Sequence, residues 1–258
     1  MPLPSPNTLY NDLLKALSLL TRLPVPEADW SDEDRAPAKA AWAYPLVGLV
    51  IGGLGTIVGL ICYIMQLDLW VSAALMIAAV AVATGAMHED GLADCADGFW
   101  GGWEKARRLE IMKDSAIGTY GVLALISVFV VKWASLAALI ALAYMPYWII
   151  VIPAVMSRAA MVVAMELLPN SRPDGLSSST GKPGKRAMWV ALGLAAIAAV
   201  LAPINAFTLL VVMGLATTTI CAIAHKKIGG KTGDVLGACQ TLTEAALLVA
   251  LSAGALQY

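Results

Sequence analysis

Residues 42–65 read WAYPLVGLVIGGLGTIVGLICYIM and contain no Asp, Glu, Lys or Arg. An apolar run of about 20 residues is long enough to cross the hydrocarbon core of a bilayer as a helix. Small residues let helices approach one another closely in lipid, and this stretch carries Gly48, Gly52, Gly53 and Gly55. The stretch therefore predicts a transmembrane helix that packs closely against its neighbours.

Six more apolar runs follow, at 69–87, 120–143, 147–168, 187–203, 206–224 and 235–256. The whole chain is only 14% charged, whereas soluble domains carry about 25% charged residues. We therefore predict an all-α fold, a polytopic integral membrane helix bundle with about seven transmembrane helices in a lipid bilayer. Because no internal repeat or soluble module stands out, residues 1–258 are treated as a single membrane-embedded catalytic domain.

The segment 1–41, before the first apolar run, contains a different kind of helix. Within residues 8–21 the leucines recur at helical spacing, while Asn11, Asp12 and Lys15 occupy other positions. A segment this short and polar does not span a bilayer, but it suits the membrane interface. We predict an amphipathic helix at the N-terminus.

The basic residues fall in alternate connections between the apolar runs. Fifteen of the 17 Lys and Arg residues lie in four segments, 1–41, 88–118, 169–186 and 225–234. The intervening short connections carry none, around 66–68, 144–146 and 204–205. Because basic loops are retained on the cytoplasmic side of a membrane, the N-terminal segment, the three loops and the active site are predicted to be cytoplasmic.

Three aspartates in the first of these loops, Asp90, Asp94 and Asp97, are spaced i, i+4 and i+7. On an α-helix, which advances about 100° per residue, the three carboxylates fall within about 60° of one another. Mg²⁺ relieves the repulsion between such carboxylates and keeps positions open for phosphate. The spacing predicts a metal site for phosphate chemistry. The alternative is a solvated acidic helix, and Glu89, which lies off this face, is expected to be solvated.

Five other residues of the loops are candidates for the same site. His88 stands at a helix boundary, Asp114 is a candidate metal ligand or base, and Lys113 also suits a plain helix end. Lys231 lies in a glycine-rich loop, followed by Asp234. Backbone amides of such loops bind anions, so this loop is predicted to cradle phosphate.

A few ionisable residues fall inside the apolar runs, where they are expensive and usually face a bundle interior or a polar cavity. They are Lys132, Arg158, Glu166 and Glu244. Two alternatives stay open for Arg158: a buried structural pair with Glu244, or a reach into a cavity toward an anionic substrate.

Motifs along nearly the whole chain resemble those of the cobalamin synthase family, adenosylcobinamide-GDP ribazoletransferase. They are HEDGLADCADGFWGG (88–102), IMKDSAIGTYGVLAL (111–125), KIGGKTGDVLGA (227–238), and, nearer the N-terminus, LTRLPVP (20–26) and WAYPLVGLVIGG (42–53). The chain departs from the family pattern at Glu89, where an apolar residue is familiar, and at Cys95, where Thr is common. Neither departure touches the aspartates.

The resemblance implies the last assembly step of cobalamin, carried out with Mg²⁺ in the cytoplasmic (inner) membrane of a prokaryote. Adenosylcobinamide-GDP and α-ribazole, or α-ribazole 5′-phosphate, are the implied substrates, and GMP is released. No nucleic-acid partner is expected, and the oligomeric state is left open, a homo-oligomer included.

Roles for the candidate residues follow from the resemblance combined with the spacing. The metal ligands are Asp90, Asp94 and Asp97. Catalytic roles are assigned to Asp94, Asp97 and Asp114, and substrate binding to His88, Lys113, Arg158, Lys231 and Asp234. The general base stays open among Asp97, Asp114 and Asp234.

Two other classes of protein share part of this pattern. A CDP-alcohol phosphotransferase also carries aspartates at helical spacing, but its Ala-Arg pair and later paired aspartates are absent here. A transporter places ionisable residues near the bilayer midplane, whereas these aspartates stand beside basic loops.

Overall fold

The computed structural model describes residues 5–30, 36–142, 147–173 and 180–255. Arg35, the connection 144–146 and residues 174–179 of the loop 169–186 lie outside the described part. The described residues form ten α-helices and no strand: α1 (Pro6–Leu20), α2 (Tyr44–Ile64), α3 (Leu69–Thr84), α4 (Met87–Gly101), α5 (Lys105–Ile111), α6 (Thr119–Ile140), α7 (Val151–Leu167), α8 (Lys185–Val200), α9 (Ala206–Ile228) and α10 (Gly233–Ala255). Short 3-10 helices, Pro37–Ala43 and Tyr147–Ile150, precede α2 and α7.

Helices occupy all seven predicted apolar runs, and the all-α membrane bundle is confirmed. Within the described ranges five helices are long and apolar enough to cross a membrane: Pro37–Ile64, Thr119–Ile140, Tyr147–Leu167, Ala206–Ile228 and Gly233–Ala255. α3 and α8 have 16 residues each, or about 24 Å, which is short of a hydrocarbon core of about 30 Å. α3 passes the same test only jointly with α4, at an angle of 89°. The count is therefore five or six, and the predicted seven is not confirmed.

α7 stands at the centre of the bundle and packs against α2, α8 and α10. Its contact with α2 depends on the small residues noted in the sequence. A Cβ atom on Gly48 or Gly52 would lie 2.7 Å from the Cα atom of Val155 or Val151, respectively. Two of the four glycines thus allow the predicted close packing, whereas Gly53 faces open space.

α1 confirms the predicted amphipathic helix. It begins at Pro6, after Ser5 accepts a hydrogen bond from the amide of Thr8. Its buried Asp12 accepts a hydrogen bond of 2.7 Å from the indole N–H of Trp42, just before α2. This bond fixes α1 against the start of the first span.

The corner between α3 and α4 is made by two residues in the left-handed region, Gly85 (φ 66°) and Ala86 (φ 54°). The backbone amide of Arg22 donates to the carbonyl of Ala83 beside this corner, at 2.7 Å. After the corner, α4 packs against α6 and α10. The corner therefore directs the aspartate-bearing helix along two of the spans.

The predicted loops meet at one end of the bundle. Arg108 donates from Nη1 to the carbonyl of Lys227 at 2.8 Å, and Lys227 donates from Nζ to the carbonyl of Phe99 at 2.8 Å. An isolated bridge joins Asn170 to Lys231. These contacts link the three basic loops, as far as they are described, into one surface.

Candidate active site

Four carboxylates gather where α4 meets the start of α10. Along α4, Asp90 is exposed, Asp94 is half-buried and Asp97 is buried. Asp234 joins them from the first turn of α10. A Cβ atom on Gly91 would lie only 2.7 Å from the carbonyl oxygen of Asp234. Glycine at this position thus lets the backbone of α10 approach the aspartate helix.

Asp94 lies among several other carboxylates. It lies on α4, which is not one of the five helices that can cross a membrane on their own. Burial, followed by the negative charges of Asp234, Asp90 and Asp97, raises the pKa of Asp94 to about 7, although Arg172 opposes the shift. A carboxyl group in this position favours a proton or a cation as its neighbour.

Asp97 has a second task in the fold. Its Oδ2 atom accepts a hydrogen bond of 2.7 Å from the amide of Gly118, and its Oδ1 atom accepts one of 2.9 Å from the amide of Gly121. Both oxygens therefore hold the first turn of α6, whose amides would otherwise lack partners. Asp97 ties the aspartate helix to the adjacent span.

Asp114 and Lys113 lie apart from this row, in the exposed loop between α5 and α6. The Asp114 side chain accepts a hydrogen bond of 3.0 Å from the amide of Ala116. It borders a shallow hollow together with Asp97 and Thr119. The structure thus brings Asp114 near Asp97 but not to the side where Asp90 and Asp234 lie.

A cavity of about 190 Å³ opens beside Asp90 and Asp234. Its walls are mostly apolar and come from α1, α2, α4, α7 and α10, and Arg172 and Thr180 also line it. His88 lines the cavity too; it is 2% exposed, and its Nε2 atom has no hydrogen-bond partner among the described residues. The predicted site residues His88, Asp90 and Asp234 therefore share one cavity.

Behind His88 lies a buried ionic network. Lys132 of α6 pairs with Glu244 of α10 at 2.5 Å, and Glu89 of α4 lies 4.0 Å from the same ammonium group. The expectation that Glu89 is a solvated neighbour is thus wrong, because its charge faces a cation in the bundle interior. The proposed pairing of Glu244 with Arg158 is replaced by pairing with Lys132.

Arg158 lies in the same interior region of α7 and is 1% exposed. It donates from Nη1 to the carbonyl of Ala154 at 3.0 Å, while its Nε atom has no partner in the described ranges. It does not line the cavity. Its role as a substrate ligand stays a prediction.

Lys231 points inward rather than into the cavity. It is 1% exposed, and its ammonium group donates to the backbone carbonyl of Met165. Its backbone pairs with the amide of Ser171 and the carbonyl of Pro169, at 3.0 and 2.8 Å. Burial and the nearby charge of Lys182 lower the pKa of Lys231 to about 8. The phosphate contact of Lys231 stays a prediction. In the structure, its backbone hydrogen bonds hold the segment that precedes Arg172.

Arg172 is the site residue that sequence reasoning missed, because it counted only as one of many loop charges. Its Nη2 atom lies 3.7 Å from Oδ2 of Asp234. Its Nη1 atom is buried, and no described residue offers it an acceptor. Within the described ranges, the guanidinium thus has a donor that no protein atom uses.

Comparison with known proteins identifies the family. The family model for cobalamin-5-phosphate synthase matches residues 12–252. The chain belongs to the cobalamin-5-phosphate synthase family. It is 40% identical to a protein of Bradyrhizobium diazoefficiens over 97% of this chain and 98% of that protein. It is 39% identical to one of Sinorhizobium medicae (94% and 96%) and 37% identical to one of Mesorhizobium japonicum (96% and 95%). All three are named adenosylcobinamide-GDP ribazoletransferase. No solved structure matches the chain.

The magnesium ion implied for the cobalamin-5-phosphate synthase family can be tested against the side chains of the site. No three His, Cys, Asp or Glu residues of the described chain form a cluster that could hold a metal ion. Mg²⁺, however, is usually held by one or two carboxylates, with waters and substrate phosphates completing its shell. Asp90 and Asp234 present carboxylates of this kind at the cavity, and Asp94 lies close enough to interact with both charges. The donor set therefore fits a magnesium ion that is shared with a phosphate substrate.

Proposed function

We propose that the chain transfers the adenosylcobinamide-phosphate moiety of adenosylcobinamide-GDP to α-ribazole, or to α-ribazole 5′-phosphate, with release of GMP. Mg²⁺ is the proposed cofactor. The proposed location is the inner membrane of a bacterium, with the active site on the cytoplasmic side, because the basic loops gather at the end of the bundle where the carboxylates lie. Membership of the family and the names of its relatives support this reaction.

The observation that carries the proposal is that Asp90, Asp234 and Arg172 line one cavity, with Asp94 close enough to interact with the charges of all three. Carboxylates supply oxygen ligands for Mg²⁺, and a guanidinium group matches the geometry of phosphate oxygens. A site that offers both is suited to a diphosphate. Family membership favours this reaction over the phospholipid and transport alternatives.

In the reaction, the 3′-hydroxyl oxygen of the ribazole ribose attacks the phosphorus on the cobinamide side of the diphosphate. A new P–O bond forms, the bond to the bridging oxygen breaks, and GMP leaves with that bonding pair. When bound, Mg²⁺ neutralises charge on the transferring phosphoryl group and on the departing GMP. Arg172 holds the diphosphate, and its orientation depends on Lys231 and Asp234.

The hydroxyl proton passes to a carboxylate that lies at the cavity. Asp97 already accepts an amide hydrogen bond on each oxygen, and Asp114 faces a different hollow. Of the three candidate bases Asp97, Asp114 and Asp234, this leaves Asp234, which lines the cavity, as the acceptor. Asp97 contributes by keeping α4 in place against α6.

The test uses the full chain in detergent micelles, where no transmembrane gradient exists. We expect GMP release that requires both α-ribazole and Mg²⁺, and loss of turnover on addition of EDTA. GMP release without the riboside would contradict the transfer, and turnover that is insensitive to EDTA would contradict the magnesium assignment. Comparing α-ribazole with its 5′-phosphate gives the preferred acceptor.

A matched pair of variants separates the site from the fold. Asp94→Asn is expected to lower turnover by roughly 100-fold or more, because metal-assisted charge stabilisation amounts to several kcal/mol. Glu110→Gln removes an exposed carboxylate on α5, whose side chain is 69% exposed, and should leave turnover unchanged. Near-normal turnover of Asp94→Asn would remove that residue from the mechanism.

A further inference from the structure

The cavity beside the carboxylates is divided into a polar mouth and an apolar body. Asp90, Asp234 and Arg172 are its charged lining residues, and they mark the mouth because they are exposed or partly exposed. The body is walled by Leu19 and Leu20 of α1, Tyr44 of α2, Met161 and Met165 of α7, and Leu236 of α10. Most of this wall is buried within the bundle. A ligand that fills the cavity therefore has an apolar part inside and an oxygen-rich part at the mouth.

The body of the cavity suits a flat ring. Methionine sulfur and aromatic rings attract each other, and ligand pockets are typically lined by hydrophobic groups with few polar ones. An apolar cavity of about 150 Å³ already takes up benzene, and this cavity is larger, at about 190 Å³, and open at one side. A bicyclic aromatic ring fits this combination of size and chemistry.

The few polar groups of the body distinguish between the aromatic rings of the two substrates. His88, Thr180 and Tyr44 are the lining residues with polar side-chain groups besides those at the mouth. Guanine carries donors and acceptors along two edges, and burying them unpaired is costly. The benzimidazole ring of ribazole has a single free ring nitrogen, for which one polar group such as His88 is sufficient.

We propose that this cavity binds the aromatic base of the acceptor riboside, with its ribose at the mouth beside Asp90 and Asp234. The inference rests on the proposed function and adds the location of the acceptor. Attacking and leaving oxygens of a phosphoryl transfer lie roughly in line. With the riboside held in the cavity, the bulky corrinoid and the departing nucleotide lie on the open side of the carboxylate row.

The first test fills the cavity from α1, away from the carboxylates. Leu19→Trp should raise the KM for α-ribazole by roughly tenfold or more, since apolar pockets discriminate by about 10–200-fold per methylene-sized mismatch. The KM for adenosylcobinamide-GDP should stay within about twofold. Leu9→Trp on the same helix, where the side chain is exposed, is the matched control and should change neither value.

A gentler variant covers the case in which Leu19→Trp does not fold. Met161→Leu keeps nearly the same volume but removes the sulfur atom. We expect a rise of roughly two- to tenfold in the KM for α-ribazole, the size of a sulfur–aromatic contact. A rise in the KM for adenosylcobinamide-GDP instead would assign the cavity to that substrate and overturn the proposal. Unchanged values for both substrates in folded variants would also overturn it, by indicating a lipid chain or another occupant.

A binding measurement separates this inference from the proposed reaction. Benzimidazole should bind to the full chain in detergent by titration calorimetry, and it should bind equally well to Asp94→Asn, whose turnover is expected to be strongly reduced. In assays of the unmodified chain, it should compete with α-ribazole and not with adenosylcobinamide-GDP. Suppose that the chain released no GMP but bound benzimidazole, and that Leu19→Trp abolished this binding. The proposed reaction would then be contradicted, while the cavity assignment would stand. If the enzyme were active but did not bind benzimidazole, the cavity assignment would be contradicted and the proposed reaction would stand.

Discussion

Lys132 of α6 and Glu244 of α10 form an ion pair of 2.5 Å in the interior of the bundle, and Glu89 of α4 lies 4.0 Å from the same Lys132 ammonium group. Three helices that meet at the active site are thus joined through one buried cation. The two paired side chains are only 6% and 5% exposed. The network anchors the inner end of the aspartate helix.

Breaking this pair on one side should destabilise the protein strongly. Lys132→Met leaves Glu244 buried without its cation, and such a change typically costs about 3–5 kcal/mol. The melting temperature in detergent should therefore fall for Lys132→Met, while the double variant Lys132→Met/Glu244→Met should recover much of the loss. A double variant as unstable as the sum of its two single variants would contradict the coupling.

Asp94 and Asp97 should respond in opposite ways to the same substitution. Asp97→Asn leaves one amide of the α6 turn facing an NH₂ group, and an unsatisfied buried group costs about 1–3 kcal/mol. Asp94→Asn removes a half-buried like charge and should raise the melting temperature while it lowers turnover. Thermal unfolding and GMP release, measured on both variants, check the contrast. Equal melting temperatures for the two variants would show that Asp97 does not hold α6.

The close approach at Gly91 predicts that a single methyl group impairs the site. In Gly91→Ala the Cβ atom would meet the Asp234 backbone at 2.7 Å, so α4 and α10 must separate. We expect kcat/KM to fall by roughly tenfold or more, because small misplacements of reacting groups are costly. Gly53→Ala, whose Cβ atom would meet nothing within 4 Å, is the control and should behave like the unmodified chain. A similar loss in both variants would indicate a general effect of alanine on helix packing.

Arg172 should bind the diphosphate through two parallel hydrogen bonds from its planar guanidinium group, and not through charge alone. Arg172→Lys keeps the charge but lacks bidentate geometry, so we expect a higher KM for adenosylcobinamide-GDP in this variant and a still higher one in Arg172→Gln. Raising the salt concentration should weaken substrate binding less in Arg172→Gln, because one cationic contact is missing. If the KM of Arg172→Lys for adenosylcobinamide-GDP equalled that of the unmodified chain, the bidentate geometry of the guanidinium group would have no role.

Much of the fold was predictable because apolar length and the distribution of Lys and Arg are local properties of the sequence. They located every helix that carries an apolar run, as well as the amphipathic α1. The number of spans was harder to predict, since hydropathy does not show where helices end. α3 stops at Gly85, where the chain turns, and α8 has only 16 residues.

The site was predictable to the extent that it lies on one helix. The spacing of Asp90, Asp94 and Asp97 placed them together, because helical periodicity relates residues within an element. Which cation meets Glu244, and whether Lys231 faces substrate or carbonyl, depends on how separate helices are aligned. No property of a single segment encodes that alignment, so Lys132 and Arg172 were not singled out as partners.

The attachment of α4 at both of its ends has a mechanical consequence. Lys132 restrains the inner end through Glu89, and the amides of Gly118 and Gly121 restrain the outer end through Asp97. A rotation by one residue would turn every side chain by about 100° and would break both attachments at once. The aspartate row is therefore held in a fixed position. The substrates, and not the protein, must adjust their positions to it.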